Sequence, residues 1–167
     1  MTNPDDHTGG TATPDPGPPR LPVSCGAIVR DRQGRLLIVK PTYKKGWTLP
    51  GGIMEANGET PWEACQREVR EETGLELRAG RLAAVDTRPA RPDRPLGIRF
   101  LFDAGALPDD VLAAARPQES EIAEIRLLPA TEALPLLRKA IRRRVSAVID
   151  TAAAVYLEDG DRVDGIG

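Results

Sequence analysis

Gly51-Gly52-Ile53-Met54-Glu55-Ala56-Asn57-Gly58-Glu59-Thr60-Pro61-Trp62-Glu63-Ala64-Cys65-Gln66-Arg67-Glu68-Val69-Arg70-Glu71-Glu72-Thr73-Gly74-Leu75 is the stretch on which the reading of this chain turns. Thr60 is placed to cap a helix. Pro61 takes the first helical position, where a missing N–H costs nothing, and Glu63 is placed to reach back to the Thr60 amide. The helix is expected to run to about Glu72, with Gly74 ending it in the position that favours glycine. At about 100° per residue, Glu68, Glu71 and Glu72 fall at i, i+3 and i+4 on one face. Ala64 lies on that stripe one turn earlier and leaves room, while Trp62 and Val69 make a neighbouring apolar stripe.

Three like charges on one face repel. Two carboxylates about 6 Å apart cost roughly 3 kcal/mol at an effective dielectric near 20. Arg67 can reach Glu71 at i+4 but cannot neutralise three groups; a divalent cation can. The ligands would all be hard oxygens, which points to Mg²⁺ or Mn²⁺ rather than zinc. Most Glu/Arg runs are simply solvated helix faces. The glycine-rich approach, the capping box and the acidic stripe coming together in one segment favour the metal-binding alternative.

Working outward, the 167-residue length suits one domain. Net charge −2 asks for no nucleic-acid partner. No apolar run approaches membrane-spanning length, and the acidic start MTNPDDHTGG lacks the apolar core of a secretory signal, so a cytoplasmic location is expected. Cys25 and Cys65 form neither a disulfide framework nor a CxxC pair and read as buried reduced thiols. The single histidine, His7, lies in a Pro/Gly-rich stretch. Ser-His-Asp, Cys-His and His-zinc chemistry are thereby excluded from residues 21 onward.

Residues 1–20 are expected to be a disordered tail, 21–160 a single domain and 161–167 a flexible C-terminus. Val23–Arg30 and Leu36–Val39 read as a hairpin around the turn Asp31-Arg32-Gln33-Gly34. Leu75–Arg88 reads as extended, Ile98–Phe102 as a strand, Pro108–Ala115 as a short helix and Ile122–Leu128 as a strand. Residues 131 to about 154 read as helical, with Pro135 breaking off the first turns. Strands, helix, strands, helix without regular βαβ units indicate an α+β sandwich around a mixed sheet.

The quoted segment resembles the Nudix box, G-x5-E-x7-R-E-U-x-E-E-x-G-U with U apolar. Glu59, Arg67, Glu68, Val69, Glu71, Glu72, Gly74 and Leu75 match in type and spacing, and Leu49-Pro50-Gly51-Gly52 is similar to the usual approach. Six residues rather than five separate Gly52 from Glu59, as if one were inserted near Ala56-Asn57. The resemblance covers roughly residues 22–157. It implies a Nudix-type α/β/α sandwich with a central mixed β-sheet. It also implies Mg²⁺-dependent hydrolysis of the diphosphate in a nucleoside diphosphate linked to another group X.

On that resemblance Glu68, Glu71 and Glu72 are metal ligands, with the Gly52 carbonyl and a later loop glutamate as helpers. Glu119 is the first candidate for that glutamate and Glu121 the second, against the alternative that both are solvent-facing charges. Glu68 or Glu72 is the general base, Arg67 holds a neighbouring carboxylate, and Glu59 anchors the loop. The expected partner is a small-molecule nucleotide, with no membrane and no nucleic acid; a homodimer is left open. Alternatives are a pyrophosphohydrolase clearing oxidised nucleoside triphosphates and a silent ligand-sensing module. Arg88, Arg91, Arg94 and Arg99 read as phosphate ligands or, more commonly for such a loop, as solvated charges. Lys40, Lys44, Lys45 and Trp47 are similarly open between cleft and surface or core edge. Lys139, Arg142 and Arg143 read as a solvated basic face.

Overall fold

The computed structural model describes residues 17–166. His7, Gly167 and the expected tail through residue 16 lie outside the described residues. Gly17 to Arg20 are exposed and carry no helix or strand.

Asp31 makes the first turn. Its Oδ1 accepts the amides of Gln33 and Arg35 at 3.0 and 2.7 Å, a side-chain mimic of a backbone turn. The chain therefore folds β1 (Val23–Arg30) back on β2 (Leu36–Pro41). After α1 (Pro61–Thr73) come β3 (Arg81–Arg88), β4 (Gly97–Ala106), α2 (Asp109–Ala113) and β5 (Ile122–Leu128). The chain ends with α3 (Ala130–Leu136), α4 (Lys139–Val148), β6 (Val155–Glu158) and β7 (Asp161–Arg162).

The strands form one sheet in the order β5-β2-β1-β4-β3-β6-β7. β1 runs parallel to β4 and β3 parallel to β6, and the remaining neighbours are antiparallel, so the sheet is mixed. Alternation along β1 and β2 gives the sheet two apolar faces. Cys25, Ala27, Val29, Leu37 and Val39 pack with Ala64, Cys65 and Val69 of α1. Ile28, Leu36 and Ile38 face the other way, toward Ala133, Val145 and Val148 of α3 and α4. Val69 is fully buried, and burial of such a side chain contributes about 2 kcal/mol. The result is the α/β/α sandwich expected from the sequence.

Three expectations change. The extended stretch from Leu75 becomes a strand only at Arg81; before that, Leu75 and Leu77 are buried beneath α1, and Gln66 Nε2 donates to the Leu77 carbonyl at 2.7 Å. The long C-terminal helix divides at Leu137, not at Pro135, which stays inside α3. Leu137 is extended because it bridges to Trp47, whose carbonyl accepts the Arg138 amide at 3.1 Å. Helix α4 stops at Val148, and Val155 and Leu157 bury themselves as a strand beside β3. The hairpin of β6 and β7 straddles the domain boundary placed at residue 160. Among the described residues no helix is long and apolar enough to cross a membrane.

Candidate active site

Local chemistry starts α1 where the sequence indicates. Thr60 Oγ1 accepts the Glu63 amide at 3.3 Å, and Glu63 Oε2 accepts the Thr60 amide at 2.7 Å. At the other end Gly74 sits at φ 72° and donates to the Arg70 carbonyl. A Thr or Ser cap of this kind contributes about 1 kcal/mol.

Arg67 ties the approach loop to the helix. Its Nε and Nη2 grip both oxygens of Glu59 at 3.1 and 3.0 Å, and Nη2 also donates to the Ile53 carbonyl at 3.1 Å. Nη1 donates to Glu68 Oε1 at 3.0 Å and to Glu71 Oε2 at 3.1 Å. One guanidinium thus holds three carboxylates, and Glu59 foremost raises its already high pKa. Glu59 in turn accepts the Glu55 amide, closing the loop. The turn Glu55–Gly58, where the sequence suggests the surplus residue, is exposed, and Asn57 Oδ1 there accepts the Glu59 amide at 2.9 Å.

Gly51 and Gly52 bring the loop against the helix. Pro50 and Gly52 accept the amides of Ala27 and Cys25 at 3.0 and 2.9 Å, so the segment runs along β1. Gly51 adopts φ 137°, and a Cβ there would stand 2.5 Å from the Cys25 carbonyl oxygen. A Cβ on Gly52 would collide with the Glu68 carboxyl group. Gly51 is held to glycine by its φ and by the backbone against it, whereas a side chain at 52 would have to push the Glu68 carboxyl group aside.

Glu68 and Glu72 line a cleft of about 560 Å³ beside these glycines. Glu72 is only 4% exposed and accepts the Gly51 amide at 2.8 Å. Burial pushes its pKa up to about 7, with Glu68 and Glu121 adding repulsion. Burial also raises Glu68, against the pull of Arg67. The third member of the stripe behaves differently: Glu71 is half exposed, held by Arg67, and does not line the cleft. Of the two later glutamates, Glu121 lines the cleft, whereas Glu119 is exposed away from it. The Glu121 carbonyl accepts the Thr42 amide, which fixes this loop beside β2.

Arg88, Arg94 and Arg99 also line the cleft. Arg91 does not; it pairs with Asp159 at 3.3 Å. Lys44 reaches the rim, while Lys40 and Lys45 stay on the surface. Trp47 belongs to the core, 7% exposed beneath the Arg126 guanidinium. Lys139 and Arg142 are exposed, and Arg143 pairs with Asp159 and Asp161. Sequence reasoning missed Tyr43, Arg138 and Arg144, all of which line the cleft. Arg144 had a signal: a cation set in the buried stripe Ile141-Arg144-Val145-Val148. Exposed Tyr43 and Arg138 had none.

The sequence model of the NUDIX domain matches residues 20–148. The chain belongs to the Nudix hydrolase family. Among similar Nudix proteins, a MutT-like protein of Streptomyces ambofaciens is 40% identical over 41% of this chain and 44% of its own length. An ADP-ribose pyrophosphatase of Methanocaldococcus jannaschii is 31% identical over 59% of this chain and 60% of its own. The chain therefore spans about half the length of the curated relatives it matches. A solved Nudix-fold structure, the mutator MutT protein of Bacillus halodurans, superposes with a TM-score of 0.64, at 20% identity, over 81% of this chain and 87% of that one.

A Nudix site implies a divalent cation, and the residues here fit one. Glu68, Glu72 and Glu121 line the cleft with carboxylate oxygens, and the Gly52 carbonyl, which already accepts the Cys25 amide, keeps a second lone pair. Burial first, and then repulsion from Glu68 and Glu121, raises the Glu72 pKa, a cost that a cation would relieve. Among the described residues no three His, Cys, Asp or Glu side chains stand together as a ready metal site.

Proposed function

We propose that this chain is a Mg²⁺- or Mn²⁺-dependent hydrolase that splits the diphosphate of a nucleoside diphosphate linked to a group X. The observation that carries the reading is the pair Glu68 and Glu72 facing a single cleft, with the backbone of Gly51 and Gly52 beside them and Arg99 among the cleft's cations. Similarity to an ADP-ribose pyrophosphatase supports the substrate class.

Glu68 and Glu72, with Glu121 and the Gly52 carbonyl, would hold the cation, which when bound offsets charge on the diphosphate. In the reaction water adds to one phosphorus, and the bond from that phosphorus to the bridging oxygen breaks. The bridging oxygen leaves on the other phosphate. Glu68 or Glu72 accepts the water's proton. Arg67 is a positioning residue: it holds Glu68 while locking the loop through Glu59. Arg99 donates Nη2 to the Cys25 carbonyl and so presents its remaining donors beside the glycines. Tyr43, 62% exposed on the cleft wall, offers a ring face on which a base can stack.

The test is a panel of ADP-ribose, nucleotide sugars, dinucleoside polyphosphates and ordinary and oxidised nucleoside triphosphates, with Mg²⁺, scored by products. Turnover of at least one, lost in Glu72→Gln, is the expected result. Equal turnover by that variant rejects the assigned site, and no turnover of any compound favours a ligand-sensing domain.

A further inference from the structure

We propose that Arg88, Arg94 and Arg99 form a subsite for a phosphate of the substrate lying beyond the scissile diphosphate. The assignment rests on the hydrolase reading for which bond is cut, but not for the existence of the subsite.

These arginines differ from the rest of the chain's buried cations. Arg30 and Arg81 share Asp103, Arg67 holds Glu59, and Arg144 holds Asp86. Among the described residues Arg88, Arg94 and Arg99 form no ion pair, although all three are half-buried and face one cleft. The Nε atoms of Arg88 and Arg94 are buried without a hydrogen-bond partner. Nearby acids are already engaged. Asp86 accepts from Arg144 and from the Gly160 amide, and Asp159 is shared by Arg91 and Arg143. Covered, unpaired cations are costly; no acid among the described residues pairs with these three, and an anionic ligand in the cleft would relieve them.

The wall is also rigid. Arg88 closes β3, Arg99 lies within β4, and Arg94 sits in the turn between them. Paired backbone hydrogen bonds between Arg91 and Arg94, at 2.8 and 3.1 Å, pin that turn, and Pro89, Pro92 and Pro95 restrict it further. Burial lowers the pKa of Arg88, with repulsion from Arg94 next. Burial likewise takes Arg99 down to about 10, with repulsion from Arg144 next. Guanidinium forks with free edges match phosphate oxygens better than any neutral sugar hydroxyl. Two kinds of substrate carry the required group: a nucleoside triphosphate, through its third phosphate, and a dinucleoside polyphosphate, through its longer chain. Nucleotide sugars lack it.

Two measurements decide. Steady-state kinetics with Mg²⁺ compare ATP, diadenosine tetraphosphate and ADP-glucose in wild type, Arg94→Gln and Arg88→Lys. The ratio of kcat/KM for a phosphate-rich substrate over ADP-glucose falls about tenfold in each variant, the loss of one charge-assisted contact. Whichever of the two phosphate-rich substrates shows the fall identifies the source of the phosphate. Separately, inorganic tripolyphosphate is titrated calorimetrically in the presence of a chelator. It binds wild type and binds Arg94→Gln about tenfold more weakly. Arg88→Lys keeps the charge and guards against misfolding of the glutamine variant. An unchanged ratio for both phosphate-rich substrates overturns the proposal. If no compound is turned over, the tripolyphosphate titration decides alone: weakening by Arg94→Gln upholds the subsite while the hydrolase reading fails, and no weakening overturns the subsite.

Discussion

Gly52 occupies the space that Glu68 needs: the side chain of any other residue at 52 would overlap the Glu68 carboxyl group. The obstructing atoms are the far end of a flexible side chain, so the fold can yield without unfolding. Gly52→Ala is expected to melt within a few degrees of wild type while its turnover falls about a hundredfold, the usual result of moving a reacting group by about 1 Å. Melting curves and steady-state rates on one preparation check this, and near-normal turnover would contradict it.

Glu72 carries a charge in a nearly closed site, with a single amide hydrogen bond to compensate. Burial disfavours that charge, so the isosteric Glu72→Gln removes a cost from the cation-free protein. At pH 8 with chelator the variant is expected to melt no lower than wild type. With Mg²⁺ its turnover should be down by about a hundredfold or more. A variant that melts well below wild type with chelator would show that the charged carboxylate stabilises the fold.

Arg67 holds the Glu59 carboxyl below the usual carboxylate range, and the Glu55 amide adds to this. A depressed folded pKa means that the unfolded chain binds the proton more readily as pH falls. The stability this contact supplies is present above the unfolded glutamate pKa of about 4.3 and is lost as pH drops through the folded value. The difference in melting temperature between wild type and Glu59→Gln should therefore be clear at pH 7 and should shrink as pH falls below the ordinary glutamate range. A difference that persists undiminished at low pH would assign Glu59's role to something other than its charge.

Arg144 on α4 and Asp86 on β3 form a buried pair at 2.6 Å, with Asp86 also accepting the Gly160 amide at 2.7 Å. Asp86→Asn leaves the arginine buried without its counter-charge. The expected loss is about 3 kcal/mol, or roughly 6–12 °C in melting temperature for a chain of this length. Denaturant unfolding measures it directly; a loss under about 1 kcal/mol would mean that water or a neighbour takes over the pairing.

Much of the helix at the centre of the site was legible without coordinates. Its caps, its length and the Arg67 contact to Glu71 depend on residues three and four positions apart, and helical geometry brings those together in any surroundings. The same local rule put Glu68, Glu71 and Glu72 on one face, but it could not say which of them reaches the cleft. Packing of Ala64, Cys65 and Val69 against β1 decided that. It rotated Glu68 and Glu72 inward and left Glu71 with Arg67.

The sequence alone therefore determined the helix, its glutamates, the glycine approach and the sandwich class, because each follows from short-range periodicity and turn chemistry. Tertiary structure decided the choice of Glu121 over Glu119 at the cleft, the strand at Val155–Glu158 and the convergence of Arg88, Arg94 and Arg99 on the glutamates. Those relations depend on the pairing of β2 with β5, of β1 with β4 and of β3 with β6, which joins residues more than 60 positions apart. No local pattern encodes such pairings; they emerge only when two apolar faces of one sheet are covered at once.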